Sequence, residues 1–377
     1  MRTSRVWIDR VMTQIGMLLL VLLLVSPVRS QFAVHLNLDY QSAQEAIELY
    51  QGLSGHPDDI VRLRGSRIAL ATTALLAQKN LDDVTLRRNL EASKFGQSIA
   101  DDVFMMKEAR ENVGLMNDLL VAIKRRNFSQ RVTSTVEQLF PSHTRLATSV
   151  PVYFVAFGHQ NIDAFVRRVV WKDDTPYFVG EGEGELTIVV NLANAVYYGR
   201  TTDERFVGTL SVVAHEVFHA AFGVYRDNSS VWREYYATHR TYLDQLLDLT
   251  QNEGIAHYLT FEQRSRGVPP PDWDEKVRSA FADFNKNAGE LLSARISPQR
   301  ANELIRTSNT ATYWESYGAI TGMAIARQID LTLGRSALAE TIANGPSDFF
   351  VKYIEIVTRN NNLPALSPLL RRYIKGN

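Results

Sequence analysis

The sequence predicts a mainly α protein with a small central β-sheet, an α+β chain in which helical segments flank a mixed middle. Three observations carry that class. Apolar residues recur at helical spacing from Leu38 to about Leu139, and again from Glu204 to Tyr373. Between them, after Pro141, lie stretches rich in β-branched residues. The chain has 377 residues, 45% hydrophobic and 22% charged, which is enough to bury a large core without covalent staples.

Taken in order, the first thirty residues are set apart from the rest. Arg2, Arg5 and Arg10 precede a short apolar run, Met17 to Val25, which Ser26 and Pro27 break before the small residue Ser30. That is the pattern of a secretory signal peptide over residues 1–30. The run is about half the ~20 residues needed to span a bilayer, and an uncleaved anchor is the alternative reading. A secreted or periplasmic location is therefore expected. No later stretch reads as a membrane span, so no stable span is expected once the signal is removed. No cysteine follows the run, which excludes a lipoprotein anchor.

Residues 31–148 are expected to form a helical N-terminal region of roughly four or five helices. Asp58, Asp82 and Asp101 stand where helix caps would be useful. Residues 149–265 are expected to form the core of the site. Val150 to Val155 suggests a strand, and Phe165 to Trp171 a strand or a short helix. Gly180 to Glu185 reads as an acidic glycine loop, and Leu186 to Leu192 is the clearest strand. Val207 to Val224 and Val231 to Leu249 read as helices, with Gln251 to Gln263 a third helix or a continuation. Pro269-Pro270-Pro271 marks a linker into a helical C-terminal region, 266–377, expected to complete a cleft.

Composition narrows the chemistry. Forty-one Lys+Arg balance forty-one Asp+Glu, so charge gives no reason to expect a nucleic-acid partner. With no cysteine, thiolate catalysis and thiolate metal sites are impossible, and any transition-metal site must use His, Asp and Glu.

His215-Glu216-Val217-Phe218-His219 is an H-E-x-x-H. On a helix, residues four apart share a face, so both imidazoles can reach one ion. Glu216 is then placed to act as general base on a zinc-activated water. The flanking residues, Leu210 to Phe222, are largely apolar, and a buried helix does not carry unpaired polar groups without a reason. A catalytic zinc needs a third protein ligand, and Glu253, in Asn252-Glu253-Gly254-Ile255-Ala256-His257-Tyr258, is the first choice. His257, His239 and Glu234 are its rivals. Asp244, Asp248 and Asn252 are near enough in sequence to support the ligand histidines.

These residues resemble the glutamate-zincin superfamily, in which H-E-x-x-H is followed on a later helix by a metal-binding glutamate. The string Asn-Glu-Gly-x-Ala-x-Tyr is similar to the third-ligand segment of the large zinc aminopeptidases. At the spacing those enzymes use, however, the third position is Thr238, and their Gly-x-Met-Glu-Asn segment is missing here, so aminopeptidase action is not implied. The wider layout resembles an uncharacterised family of bacterial zinc-dependent peptidases, including Tyr317-Gly318, Met323-Ala324 and Gly345-Pro346. The resemblance implies a zincin-like catalytic core, zinc held by His215, His219 and Glu253, catalysis by Glu216, and a late helix across the cleft. On that helix Tyr317, then Tyr313, are the expected oxyanion donors, with Tyr258 and His257 after them. It also implies that the strand Leu186 to Leu192 lines the cleft and pairs with an extended peptide. The expected activity is hydrolysis of peptide or protein substrates by an exported zinc metallopeptidase. The alternatives are a non-catalytic helical binding protein with a vestigial metal site, and a zinc hydrolase of non-peptide amides or esters.

Overall fold

The structure is a computed structural model that describes residues 32–376 apart from 162–163, 181–182 and 311–312. The expected signal segment and part of the acidic glycine loop therefore lie outside the described residues. The fold is mainly helical around one five-stranded mixed sheet, as expected. The strands are β1 (Phe32–Asp39), β2 (Leu146–Val155), β3 (Ala164–Lys172), β4 (Thr175–Phe178) and β5 (Glu185–Asn191), in the order β1-β2-β5-β3-β4. β1, β2 and β5 run parallel, and β3 is antiparallel to both β5 and β4.

β1 was not anticipated as a strand. Its signal is a two-residue alternation in which Val34 and Leu36 are buried while His35 and Asn37 are exposed. β2 is buried from Val150 to Val155 and β5 from Thr187 to Asn191, as strands covered on both faces must be.

Among the described residues seven helices precede β2: α1 (Gln41–Tyr50), α2 (Pro57–Arg62), α3 (Arg64–Ala77), α4 (Asp83–Lys94), α5 (Met106–Glu111), α6 (Val113–Arg125) and α7 (Phe128–Glu137). The extra ones are α2 and α5, too short to show a period. Of the three expected caps only Asp82 caps a helix, accepting from Thr85 N at 2.8 Å. Asp58 pairs with Arg87 and Asp101 with Lys79. Asp102 instead receives the first amides of α5, from Met106 and Lys107.

After β5 come the short α8 (Leu192–Ala195), then α9 (Thr202–Asn228), α10 (Ser230–Thr238), α11 (Tyr242–Ser265), α12 (Trp273–Leu291), α13 (Pro298–Thr310), α14 (Tyr317–Leu333), α15 (Arg335–Asn344), α16 (Pro346–Arg359) and α17 (Pro368–Gly376). Helices cover both faces of the sheet. Tyr153 meets α3 at Gly65, whereas its neighbour Phe154 meets Phe128 of α7, which in turn meets Phe206 of α9.

Two boundaries differ from expectation. The helix expected over Val231 to Leu249 is interrupted at His239-Arg240-Thr241, and its second half runs on through Gln263 as α11. The break is chemical: Thr241 and Asp244 form a capping box that starts a new helix. α9 begins at Thr202, fixed by the Thr201–Glu204 capping box. By length and composition α9 is, contrary to the sequence reading, apolar enough to cross a membrane. Its Phe206, Leu210, Val213, Val217, Phe218 and Phe222 are instead buried inside the protein.

Candidate metal centre

α9 and α11 pack side by side, and their facing sides carry the expected ligand groups. His215 and His219, one turn apart on α9, bring their Nε2 atoms to 3.1 Å. Glu253 on α11 places Oε2 3.4 Å from His219 Nε2 and 3.8 Å from His215 Nε2. Two nitrogens about 2.0–2.1 Å from one tetrahedral ion would stand about 3.3 Å apart. Three donor atoms separated by 3.1–3.8 Å therefore fit a single small cation, and the donor set, two imidazoles and a carboxylate, suits zinc. The three side chains are 17–22% exposed, which leaves one side of the site open to solvent.

The protons tell the same story. Burial disfavours the charged form of His215, and neighbouring His219 and His257 add to this, so its pKa lies well below the ordinary value. Burial pushes His219 the same way, but Glu253 outweighs it and raises His219 to about 9. Burial would raise Glu253, but His219 holds it down at about 2.

The ligand rings are oriented from behind. Asn252 Oδ1 lies 3.0 Å from His219 Nδ1, so it accepts that N–H and leaves Nε2 free to ligate. His215 Nδ1 lies against the Ala256 carbonyl and 3.4 Å from Thr260 Oγ1. Asn252 was among the expected supporting residues; Thr260 was missed, although it stands seven residues after Glu253 on the same helical face. Asp244 and Asp248 do other work. Asp244 caps α11 and accepts from Tyr373, while Asp248 pairs with Arg226 and Tyr236.

The rival ligands stay outside the trio. His257 Nδ1 sits 2.9 Å from the Glu253 carbonyl, and its ring lies 5.0 Å from that of His215. Burial, the largest influence, lowers its pKa, although Glu253 opposes this. His257 Nδ1 is thus taken up by a backbone carbonyl. His239 stacks on Tyr235 at 4.3 Å, and Glu234 is exposed.

The two tyrosines expected across the cleft have different surroundings. Tyr317 donates its hydroxyl to Leu304 O at 2.7 Å and is buried against Phe284. Those contacts make it an anchor between α13 and α14, with its donor already engaged. Tyr313 lies 5.4 Å, ring to ring, from His257, is 43% exposed, and among the described residues has only the Met323 sulfur, at 3.5 Å, as hydroxyl partner. Tyr258 donates to Asp330 at 2.7 Å and is likewise engaged. A separate cavity of about 310 Å³, lined by Trp273, Arg278, Arg327 and Tyr353 among others, contains none of the trio.

The strand Leu186 to Leu192, expected to pair with a substrate, cannot do so as an edge. β5 is flanked by β2 on one side and β3 on the other. β4 pairs with Val169–Lys172 of β3, and Val179 N continues the contact to Arg168 O at 3.0 Å. Among the described residues, the Val166 carbonyl is met by the side chain of Arg167, at 2.8 Å, rather than by another strand.

No curated protein and no solved structure matches this chain. A family model described as "Putative zinc dependent peptidase (DUF5700)" matches residues 58–362, which includes the sheet from β2 onward and both ligand-bearing helices. Zinc, the cofactor of that description, is also the ion that His215, His219 and Glu253 suit as a donor set. The match spans well over half of the sequence, and the chain belongs to this family, whose description is that of a putative zinc-dependent peptidase.

Proposed function

We propose that this chain is an exported peptidase of the glutamate-zincin type, which hydrolyses peptide bonds at the His215–His219–Glu253 site. The observation that carries the reading is the meeting of three donors from two helices, with Glu216 beside the first of them. Zinc at such a site supplies Lewis acidity, polarising a carbonyl and acidifying a water. Glu216 takes the proton of the attacking water and passes it to the leaving amine. Glu216 lies on α9, which packs against β3. Tyr313 is the proposed oxyanion donor, because among the described residues its hydroxyl leaves only a weak sulfur contact to do so. His257 is a poorer choice, because its Nδ1 is taken up by the Glu253 carbonyl. The side of β3 near Val166 that no described strand covers, rather than β5, is the proposed rail for an extended peptide. Export rests on residues 1–30 alone.

The test is metal content followed by activity. Purified protein is expected to hold about one zinc per chain and to lose peptide cleavage on chelation. Glu216→Gln should keep the zinc and lose activity by about a thousand-fold or more. A folded wild type that binds no zinc would favour the non-catalytic binding protein. Zinc without cleavage of any peptide would point to another amide or ester.

A further inference from the structure

The cavity between α12 and α14 is lined by charged side chains that form no ion pair among the described residues. It encloses about 310 Å³, at the small end of ligand pockets, with room for roughly ten waters. That is too much for a lone ion and too little for a folded partner. Two packed helices supply its polar wall. Asp274 and Arg278 stand one turn apart on α12, and Arg327 and Gln328 come from α14.

Arg327 is the most constrained of these groups. It is partly buried, and its guanidinium carbon lies 5.7 Å from the centre of the Trp273 ring. Among the described residues no acceptor takes any of its five N–H groups. A desolvated cation held in place by an aromatic ring, with its donors unused, is prepared for an anionic ligand. Arg278 is exposed and, although Asp274 precedes it by one turn, the two form no ion pair. The other walls do not compete for a ligand. Tyr353 donates its hydroxyl to Pro364 O at 2.6 Å. Pro269-Pro270-Pro271 offers ring surface and no N–H. Lys276, nearby on α12, is taken by Asp272 at 2.6 Å.

The charges sort the ligand. Guanidinium groups grip a carboxylate through parallel hydrogen bonds. Asp274 would repel a simple acid or a phosphate, but suits an ammonium. A bare anion would also leave most of the volume unfilled. We propose that this cavity binds a free amino acid as its zwitterion. The carboxylate meets Arg327, with Arg278 as a weaker second contact, the ammonium meets Asp274, and the side chain lies against the proline rings. The cavity is separate from the metal trio, and the site would stand even if no peptide were cleaved. Trp273 forms part of its wall and meets Trp314 at 6.2 Å, so binding carries an optical signal.

The experiment titrates the purified full chain with each common L-amino acid in turn, by calorimetry and by tryptophan fluorescence. At least one is expected to bind with a Kd of about 1 mM or tighter. Its amide lacks the carboxylate and its N-acetyl derivative lacks the ammonium, and each should bind about ten-fold more weakly or worse. Arg327→Gln should erase binding, and Arg327→Lys should restore part of it. Arg278→Gln should weaken it by a smaller, salt-sensitive factor. Asp274→Asn should weaken the free amino acid and leave the N-acetyl derivative unchanged. Melting temperature checks that each variant folds; should Arg327→Gln fail to fold, the derivative series on the wild type and Asp274→Asn still decide.

No binding of any amino acid at about 10 mM would overturn the proposal. So would an amide or an N-acetyl derivative that binds as tightly as its parent, or inorganic phosphate that displaces the amino acid at equal concentration. Each would assign the arginines to something other than a zwitterion. Binding that survives Arg327→Gln unchanged would put the ligand elsewhere on the molecule, and the proposal would fall.

Discussion

The two helices that meet at the candidate metal centre differ in what is added to their apolar packing. α9 is clamped by apolar contact: Phe206, Val213, Val217, Phe218 and Phe222 are all buried. α11 buries Leu243, Leu246, Ile255 and Leu259 in the same way, and adds polar latches and one close backbone approach. Its first turn is tied by Thr241 and Asp244 to Tyr373 of α17. Its middle is tied by Gln251 to the Thr341 carbonyl at 2.8 Å. Tyr258 and Glu262 join it to Asp330 and Arg335. At Gly254 it touches α14, because a Cβ there would overlap the backbone of Gly322. The lesson is that the two histidines are fixed by the core around the sheet, whereas the position of Glu253 is fixed by the C-terminal helices.

This contrast can be broken experimentally, and the largest effect should come from the glycine contact. Gly322→Val would drive a side chain into Thr250 O and Gly254, and overpacking of this kind costs about 1–3 kcal/mol or more. Melting should show the loss, and zinc affinity should fall with it because α11 carries Glu253. If stability falls while zinc affinity is unchanged, α14 does not position the ligand. Next, Asn252→Ala should weaken zinc binding by about 10–100-fold with little change in melting temperature of the zinc-free protein. A competition titration against a chelator measures this, and an unchanged affinity would remove Asn252 from its orienting role. Tyr258→Phe comes third, at about 1 kcal/mol of stability from the lost Asp330 bond. The smallest difference is the sharpest comparison. Thr201→Ala and Thr241→Ala each delete one capping box, worth about 1 kcal/mol. Only Thr241 also contacts α17, so only its loss should reach zinc affinity. Equal effects from the two would refute the division of labour.

Much of this was legible in the residues, for reasons that differ along the chain. H-E-x-x-H could be read because two donors on one helix encode their own geometry in a four-residue spacing. The approach of Glu253 is tertiary, and no spacing within α11 encodes it. The place of Tyr317 was misjudged because a tyrosine at a helix start looks the same in sequence whether it faces a cleft or, as here, the Leu304 carbonyl. The break before α11 was available in Thr241-x-x-Asp244, but the leucines on both sides kept the helical period and hid it. β5 was recognised as a strand because Ile188-Val189-Val190 is a β-branched apolar run without polar alternation. That same feature marks an inner strand, and it argued against the edge role expected of it.

The Arg167–Val166 contact has a further consequence for handling this protein. A bare strand edge invites the strand of another copy to add to it, and a cation folded over that edge is one of the ways chains resist such self-association. Neutralising Arg167 should therefore increase aggregation. Light scattering on Arg167→Gln, run beside the wild type, would show it.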